Sequence, residues 1–393
     1  MKRVILVISS VLALGFWSEV FAESFGCTRL YSSPNPMSST SFAKTYGGTN
    51  WDEDYSVQQT SDGGYIVAGR TWSFGVDSGD IFLIKTDANG NVIWAKTYGG
   101  TDDDWVFSVQ QTSDGGYIVA GYTESFGAGL GNIFLIKTDA NGNLQWAKTY
   151  GGTDYDWARS VQQTSDGGYI VAGGTWSFGA GSWDIFLIKT DANGNIQWAK
   201  IYGGTDWYDA YSVRQTSDGG YIVAGETRSF GAGNYDIFLI KTDANGNLQW
   251  AKTYGGTDLD WAYSVQQTSD GGYIVAGTTG SFGAGWGDIF LIKTDANGNI
   301  IWAKTYGGTD GDGAISVQQT SDGGYIVAGG TWSFGAGYSD VFLVKTDANG
   351  NIGSCSIVQN VTPTVTTPSP TVTTPSPSVS SVSPIVNNVS PTV

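Results

Sequence analysis

Residues Ala147–Trp198, AKTYGGTDYDWARSVQQTSDGGYIVAGGTWSFGAGSWDIFLIKTDANGNIQW, are one copy of a unit that recurs along the whole chain. Its Tyr150 has counterparts at Tyr46, Tyr98, Tyr202, Tyr254 and Tyr306, each 52 residues from the next. A fixed period of this length marks a repeat architecture, in which every copy buries its apolar face against its neighbours. Within the copy, Ser160–Thr164 and Gly168–Gly173 are strand-like runs separated by the turn residues Ser165-Asp166-Gly167. Asp184–Thr190 and Ile196–Ile201 are two more, joined by Asp191-Ala-Asn-Gly-Asn195, whose Asn-Gly accepts the positive φ of a tight hairpin. Four short strands per copy and no helical period predict an all-β chain, a six-bladed β-propeller of four-stranded antiparallel blades over residues 41–357.

The flanks read differently. Lys2 and Arg3 precede an apolar run from Val4 to Trp17, and Val20-Phe21-Ala22 offers small residues for cleavage, so 1–22 is expected to be a signal peptide. Residues 23–40 form a Ser/Pro/Asn-rich lead-in. From 358 to 393 the composition turns to Val, Thr, Ser and Pro without charge, which predicts a disordered C-terminal stalk or linker. Ser41–Tyr46 repeats the fourth-strand pattern ahead of the first copy, whereas Ser354 replaces tryptophan in the last, so the N-terminal segment is expected to complete the last blade. Cys27 and Cys355, the two cysteines, flank the array; in an exported chain they are expected to form a disulfide across the closure. Gly26-Cys27 also permits a lipidated cysteine, although the usual leucine is missing upstream.

Composition removes several functions. The chain has no histidine, which takes away the commonest general base and zinc ligand. A net charge of −17 disfavours nucleic acid and anionic lipid as partners. No later stretch is long and apolar enough to span a bilayer, so the mature protein is expected outside the cell or at its surface, a monomer and not an integral membrane protein. A carboxylate-based glycoside-processing enzyme is the alternative, but six-fold repetition of the same aspartates reads as structure. A purely structural surface-layer or matrix component is a further alternative. Thr164-Ser-Asp-Gly-Gly168 resembles an Asp-box, yet a hairpin turn accounts for it. No cofactor and no metal site is expected. Structural calcium at Asp191–Asn195, or at Asp154 and Asp156, is the weaker reading because no bidentate glutamate follows.

The copies are nearly invariant through SVQQTSDGGYIVAG and IFLIKTDANGN but vary at three places, which an up-and-down blade brings to one face of the ring. The aromatic residues there are Trp51, Trp72, Trp105, Tyr155, Trp157, Trp176, Trp183, Trp207, Trp261, Trp286 and Trp332. Aromatic rings beside carboxylates stack on sugar C–H surfaces and accept hydroxyl hydrogen bonds, so these positions are expected to bind a glycan or a protein at the cell surface. Packing of the same rings between blades is the competing reading.

With its Tyr-Ile-Val-Ala-Gly, Asp-Ile-Phe-Leu-Ile-Lys-Thr-Asp and Trp-Ala-Lys-Thr-Tyr-Gly-Gly words, the unit resembles the propeller repeats of secreted bacterial and archaeal surface proteins, loosely akin to kelch-like and PQQ-like blades. The resemblance covers about Ser41 to Cys355. It implies the fold and no particular activity, and the quinone-binding residues of PQQ enzymes have no counterpart here.

Overall fold

The computed structural model describes residues 42–389 apart from 77, 336, 354–356, 374, 376–377 and 382–384. The signal segment, the lead-in, Cys27 and Cys355 lie outside them.

Blade 1 comprises an inner strand Asp52–Gln59, then Tyr65–Thr71, Asp80–Thr86 and an outer strand Val92–Gly99, each antiparallel to the one before. Blades 2 to 5 repeat this order over Asp104–Gly151, Asp156–Gly203, Tyr208–Gly255 and Asp260–Tyr306. Blade 6 has three described strands, Asp312–Gln319, Tyr325–Thr331 and Asp340–Thr346. The inner strand bulges in every blade, in blade 1 between Asp54 and Ser56, which bends it and increases its twist.

Local chemistry fixes both hairpins. In the first turn Gly63 has φ +83° and an added Cβ would meet nothing, so the demand for glycine there is conformational. Asp62 Oδ1 accepts from Thr60 Oγ1 and Gly64 N, and its carboxylate pairs with the buried Lys85 at 2.9 Å. In the second turn the Asp191 carboxylate accepts from Asn193 N, Asn195 N and Asn195 Nδ2 at 2.8–2.9 Å, which gives the alternating oxygen side chains a role in shaping the turn.

The core lies between blades. Ile118, Ala120, Ile133, Leu135 and Tyr150 of blade 2 pack on Ala158, Val161, Tyr169, Val171, Phe186 and Ile188 of blade 3, and the counterparts do the same from blade 1 through blade 6. On the channel side, Ser56, Ser108, Ser160, Ser212 and Ser264 Oγ each accept the amide of the next blade's valine at 3.1–3.3 Å.

The seam differs. Phe42–Gly47 sits on blade 1 as the outer strand of a preceding blade would: Tyr46 Oη donates to Gly90 O at 2.7 Å, and Phe42 meets Tyr65 edge-on at 5.8 Å. Tyr98 with Gly142, and Trp94 with Tyr117, do the same one blade later. The expected completion of blade 6 is half present, because among the described residues no fourth strand pairs with Asp340–Thr346. Val341 and Leu343 are accordingly 64 % and 51 % exposed, where their counterparts Ile81 and Leu83 are 0 %.

In the tail, Val358–Asn360, Thr364–Thr366, Thr371–Thr373, Ser378–Ser381 and Ile385–Asn388 each add an antiparallel fifth strand, to blades 5, 4, 3, 2 and 1 in turn. Val358, Val365, Val372, Val379 and Val386 stand opposite Tyr306, Tyr254, Tyr202, Tyr150 and Tyr98. Seven residues of extended chain reach about 23 Å, enough to step from one outer edge to the next. The physical reason is the unpaired N–H and C=O groups that each outer strand presents, which composition alone does not reveal.

Candidate functional site

Hydrogen bonds confirm the predicted division into two faces. Asp104 N donates to Gly79 O and Trp72 N to Trp51 O, both at 2.9 Å, so the loop between second and third strands of one blade meets the inter-blade loops on one side. The hairpins with their Lys–Asp pairs occupy the other.

The variable face resolves into two regions. Over blades 1 to 4 most of its aromatic residues pack on each other. Trp183 stacks on Trp207 at 5.4 Å and meets Trp157 at 4.5 Å and Trp176 at 5.4 Å. At 1 % exposure Trp183 belongs to the packing, which corrects its assignment as a binding residue: its ring fills the space above Gly174, whose Cβ would clash with it. Arg70 lies between Trp72 and Trp105, 4.0 and 3.7 Å from the ring centres, and pairs with Asp103. Tyr155 is half-buried and edge-on to Trp176, and Trp261 is edge-on to Tyr235.

Beneath these rings lies a polar cluster that the sequence analysis missed. Asp209 and Glu226 are cross-strand partners in blade 4 and both are buried. Arg159 Nη2 reaches Asp209 at 3.5 Å and its guanidinium lies over Phe107, Trp157 and Tyr211. Tyr211 Oη donates to Glu226 at 3.3 Å. Burial, then the Asp209 charge, pushes the Glu226 carboxyl up to about 7. Burial also raises Asp209, against the opposing pull of Arg159. Phe107, Arg159, Tyr211, Tyr263 and Ile315 line a channel of about 210 Å³ at the ring axis together with the row of serines. The signal that could have found it is a further variable column, Tyr55, Phe107, Arg159, Tyr211, Tyr263 and Ile315, two residues beyond the column Glu53, Trp105, Trp157, Asp209, Trp261 and Gly313.

Blades 5 and 6 carry the open region. Trp286 is 90 % exposed at a loop tip, and Gly287 beside it bridges to Gly311 of blade 6. Trp332 and Tyr338, both well exposed, meet edge-on at 6.3 Å and, with Asp310, Gly311 and Gly337, line a cavity of about 400 Å³. Trp51 and Trp176 are the other exposed tryptophans of the face. Among the described residues no group of three or more cysteine or carboxylate side chains is placed to hold a metal ion, and no helix is long and apolar enough to cross a membrane.

A six-bladed all-β propeller with one uniform and one aromatic, variable face is the class these observations define. The chain belongs to the holdfast attachment protein D family, whose profile matches residues 36–257 and again 102–309, together more than half of the sequence. It is 28 % identical over 257 residues to the regulatory protein FlaEY of Caulobacter vibrioides, a match covering 58 % of this chain and 26 % of that protein. The chain thus spans about a quarter of that relative's length. Two solved structures of Sqt1 from Chaetomium thermophilum are similar at a TM-score of 0.41. One is 9 % identical, covering 72 % of this chain and 81 % of that one. The other, bound to the N-terminus of ribosomal protein L10, is 11 % identical, covering 80 % and 89 %.

Proposed function

We propose that the protein is an exported, cell-surface attachment and scaffold protein, monomeric, that engages a glycan or a protein through the variable face. The observation that carries this reading is the one-sided distribution of exposed rings. Trp51, Trp176, Trp286, Trp332 and Tyr338 all sit in loops of one face, while the opposite face repeats the same turn in six copies. Membership of a holdfast attachment family supports a role at the surface. The acidic surface supports an uncharged or basic partner.

We read the chain as non-enzymatic. Asp209 and Glu226 are the one asymmetric carboxylate pair described above, yet Trp183 and Trp207 cover them and Arg159 and Tyr211 occupy their oxygens, which supports a structural role. Retention of the purified chain on cells or on extracted surface polysaccharide tests the proposal. Binding should fall when Trp176, Trp286 and Trp332 are all replaced by alanine. Retention that survives the triple replacement would place the contact elsewhere.

A further inference from the structure

We propose that the floor at Gly311, between blades 5 and 6, is a binding site for an uncharged pyranose ring. This deepens the reading of the variable face and rests on it.

The argument starts from what blade 6 leaves out. In the column Trp51, Asp103, Tyr155, Trp207, Leu259, Gly311, the last blade alone has no side chain, and the same holds for Gly313 in the column Glu53, Trp105, Trp157, Asp209, Trp261. The backbone does not require the glycine at 311. Its φ is not in the left-handed region, and an added Cβ would meet only Trp332 Cδ1, at 4.0 Å. Gly330, opposite Gly313 in the sheet, is equally unconstrained: its nearest neighbour would be Ser339 Oγ at 3.5 Å. Gly313 has a packing reason, since a Cβ would press on Thr278 Oγ1. Where blades 1 to 5 carry a side chain in both columns, blade 6 carries none and leaves a hollow.

What surrounds the hollow is chemically specific. Trp332 and Tyr338 stand at 83° to each other and are 50 % and 74 % exposed, and Trp286, 90 % exposed, directly precedes the Gly287 that bridges to Gly311. Asp310 lines the same cavity, its backbone amide donating to Ser333 Oγ at 3.0 Å. A pyranose offers the complementary pattern, with axial C–H bonds for a ring face and hydroxyls that donate to a carboxylate. No lysine or arginine lines the cavity, so a uronate or other acidic sugar would meet Asp310 without a counter-charge. Trp157, Trp183 and Trp207 of blades 3 and 4 cannot serve in the same way, because their faces are taken by one another.

The repeat supplies variants that blades already tolerate. Gly311→Trp installs what blades 1 and 4 carry at this position and should fill the hollow without disturbing the fold. Titration calorimetry of the full chain against uncharged oligosaccharides (gluco-, manno-, xylo- and N-acetylglucosamine hexamers) and against an oligouronate provides the readout, with thermal unfolding as the folding control. The expected result is binding of at least one uncharged hexamer, weakened about tenfold or more by Gly311→Trp and by Trp332→Ala and less than about twofold by Trp176→Ala. Preference for the oligouronate overturns the proposal. Binding that both blade 6 variants leave intact also overturns it, while leaving the wider face in play. If no saccharide binds, yet surface retention is lost in the triple alanine variant, the site assignment fails and the function stands.

Discussion

Asp209 and Glu226 face each other across the first two strands of blade 4, buried together, with one arginine and one tyrosine of the channel wall against them. Two carboxylates side by side in the interior hold a proton more tightly than in the unfolded chain, and this sets a pH dependence. Glu226 is raised from 4.5 to about 7, so its contribution to stability is present in full below about 4.5 and is lost as pH rises through 7. Glu226→Gln should flatten that decline, measured as the melting temperature between pH 4 and 8; equal slopes in both proteins would refute it.

On the opposite face the sign reverses. Asp166, paired with the buried Lys189 at 2.9 Å, is held down at about 2, the hydrogen bonds of Thr164, Lys189 and Gly168 outweighing the larger single effect of burial. Its contribution is present above the ordinary aspartate value and is lost as pH falls towards 2. Asp166→Asn should therefore lower stability at neutral pH and lose less on acidification. The acid limb of a chemical denaturation series reads this directly.

Trp183 and Trp176 touch, yet substitution should separate them. Trp183→Ala empties a buried site and should cost about 3–5 kcal/mol of unfolding free energy. Trp176→Ala removes an exposed ring and should cost much less, about 1 kcal/mol. Denaturant midpoints decide; equal losses would mean that Trp183 is not packed as described.

Ending the chain after Thr362 removes four of the five added strands and keeps Val358–Asn360 on blade 5. Amide exchange in the outer strands Val92–Gly99, Leu144–Gly151, Ile196–Gly203 and Leu248–Gly255 should accelerate, while Ile300–Tyr306 stays protected. Uniform exchange across all five outer strands would show that the tail contributes no pairing.

Much of the architecture was legible in the repeat. The period, the Asp-Gly and Asn-Gly turns and the alternation of fixed and variable words gave the blades and their two faces, because turn chemistry and strand pattern are local properties. The pairing of the tail is not legible in the sequence, for a physical reason. Its valines recur every seven residues, but a polar Thr/Ser/Pro strand has no apolar face of its own, and its order comes from an edge supplied by residues up to about 290 positions away. The same limit applied to the candidate site. Trp183, Trp176 and Trp286 look alike in the sequence, whereas one is enclosed by Trp157 and Trp207, one is half open and one projects from a loop tip.

By itself the sequence determined that there are six equivalent units, what each strand and turn is made of, and which positions differ from copy to copy. Only the tertiary structure decided which of those differing side chains are used up in packing and which remain for a partner. It placed Arg159 against Asp209, filled the face over blades 3 and 4, and left the floor at Gly311 open. The reason is that burial belongs to the space between blades, set by two neighbouring copies at once, and no single copy of the repeat contains it.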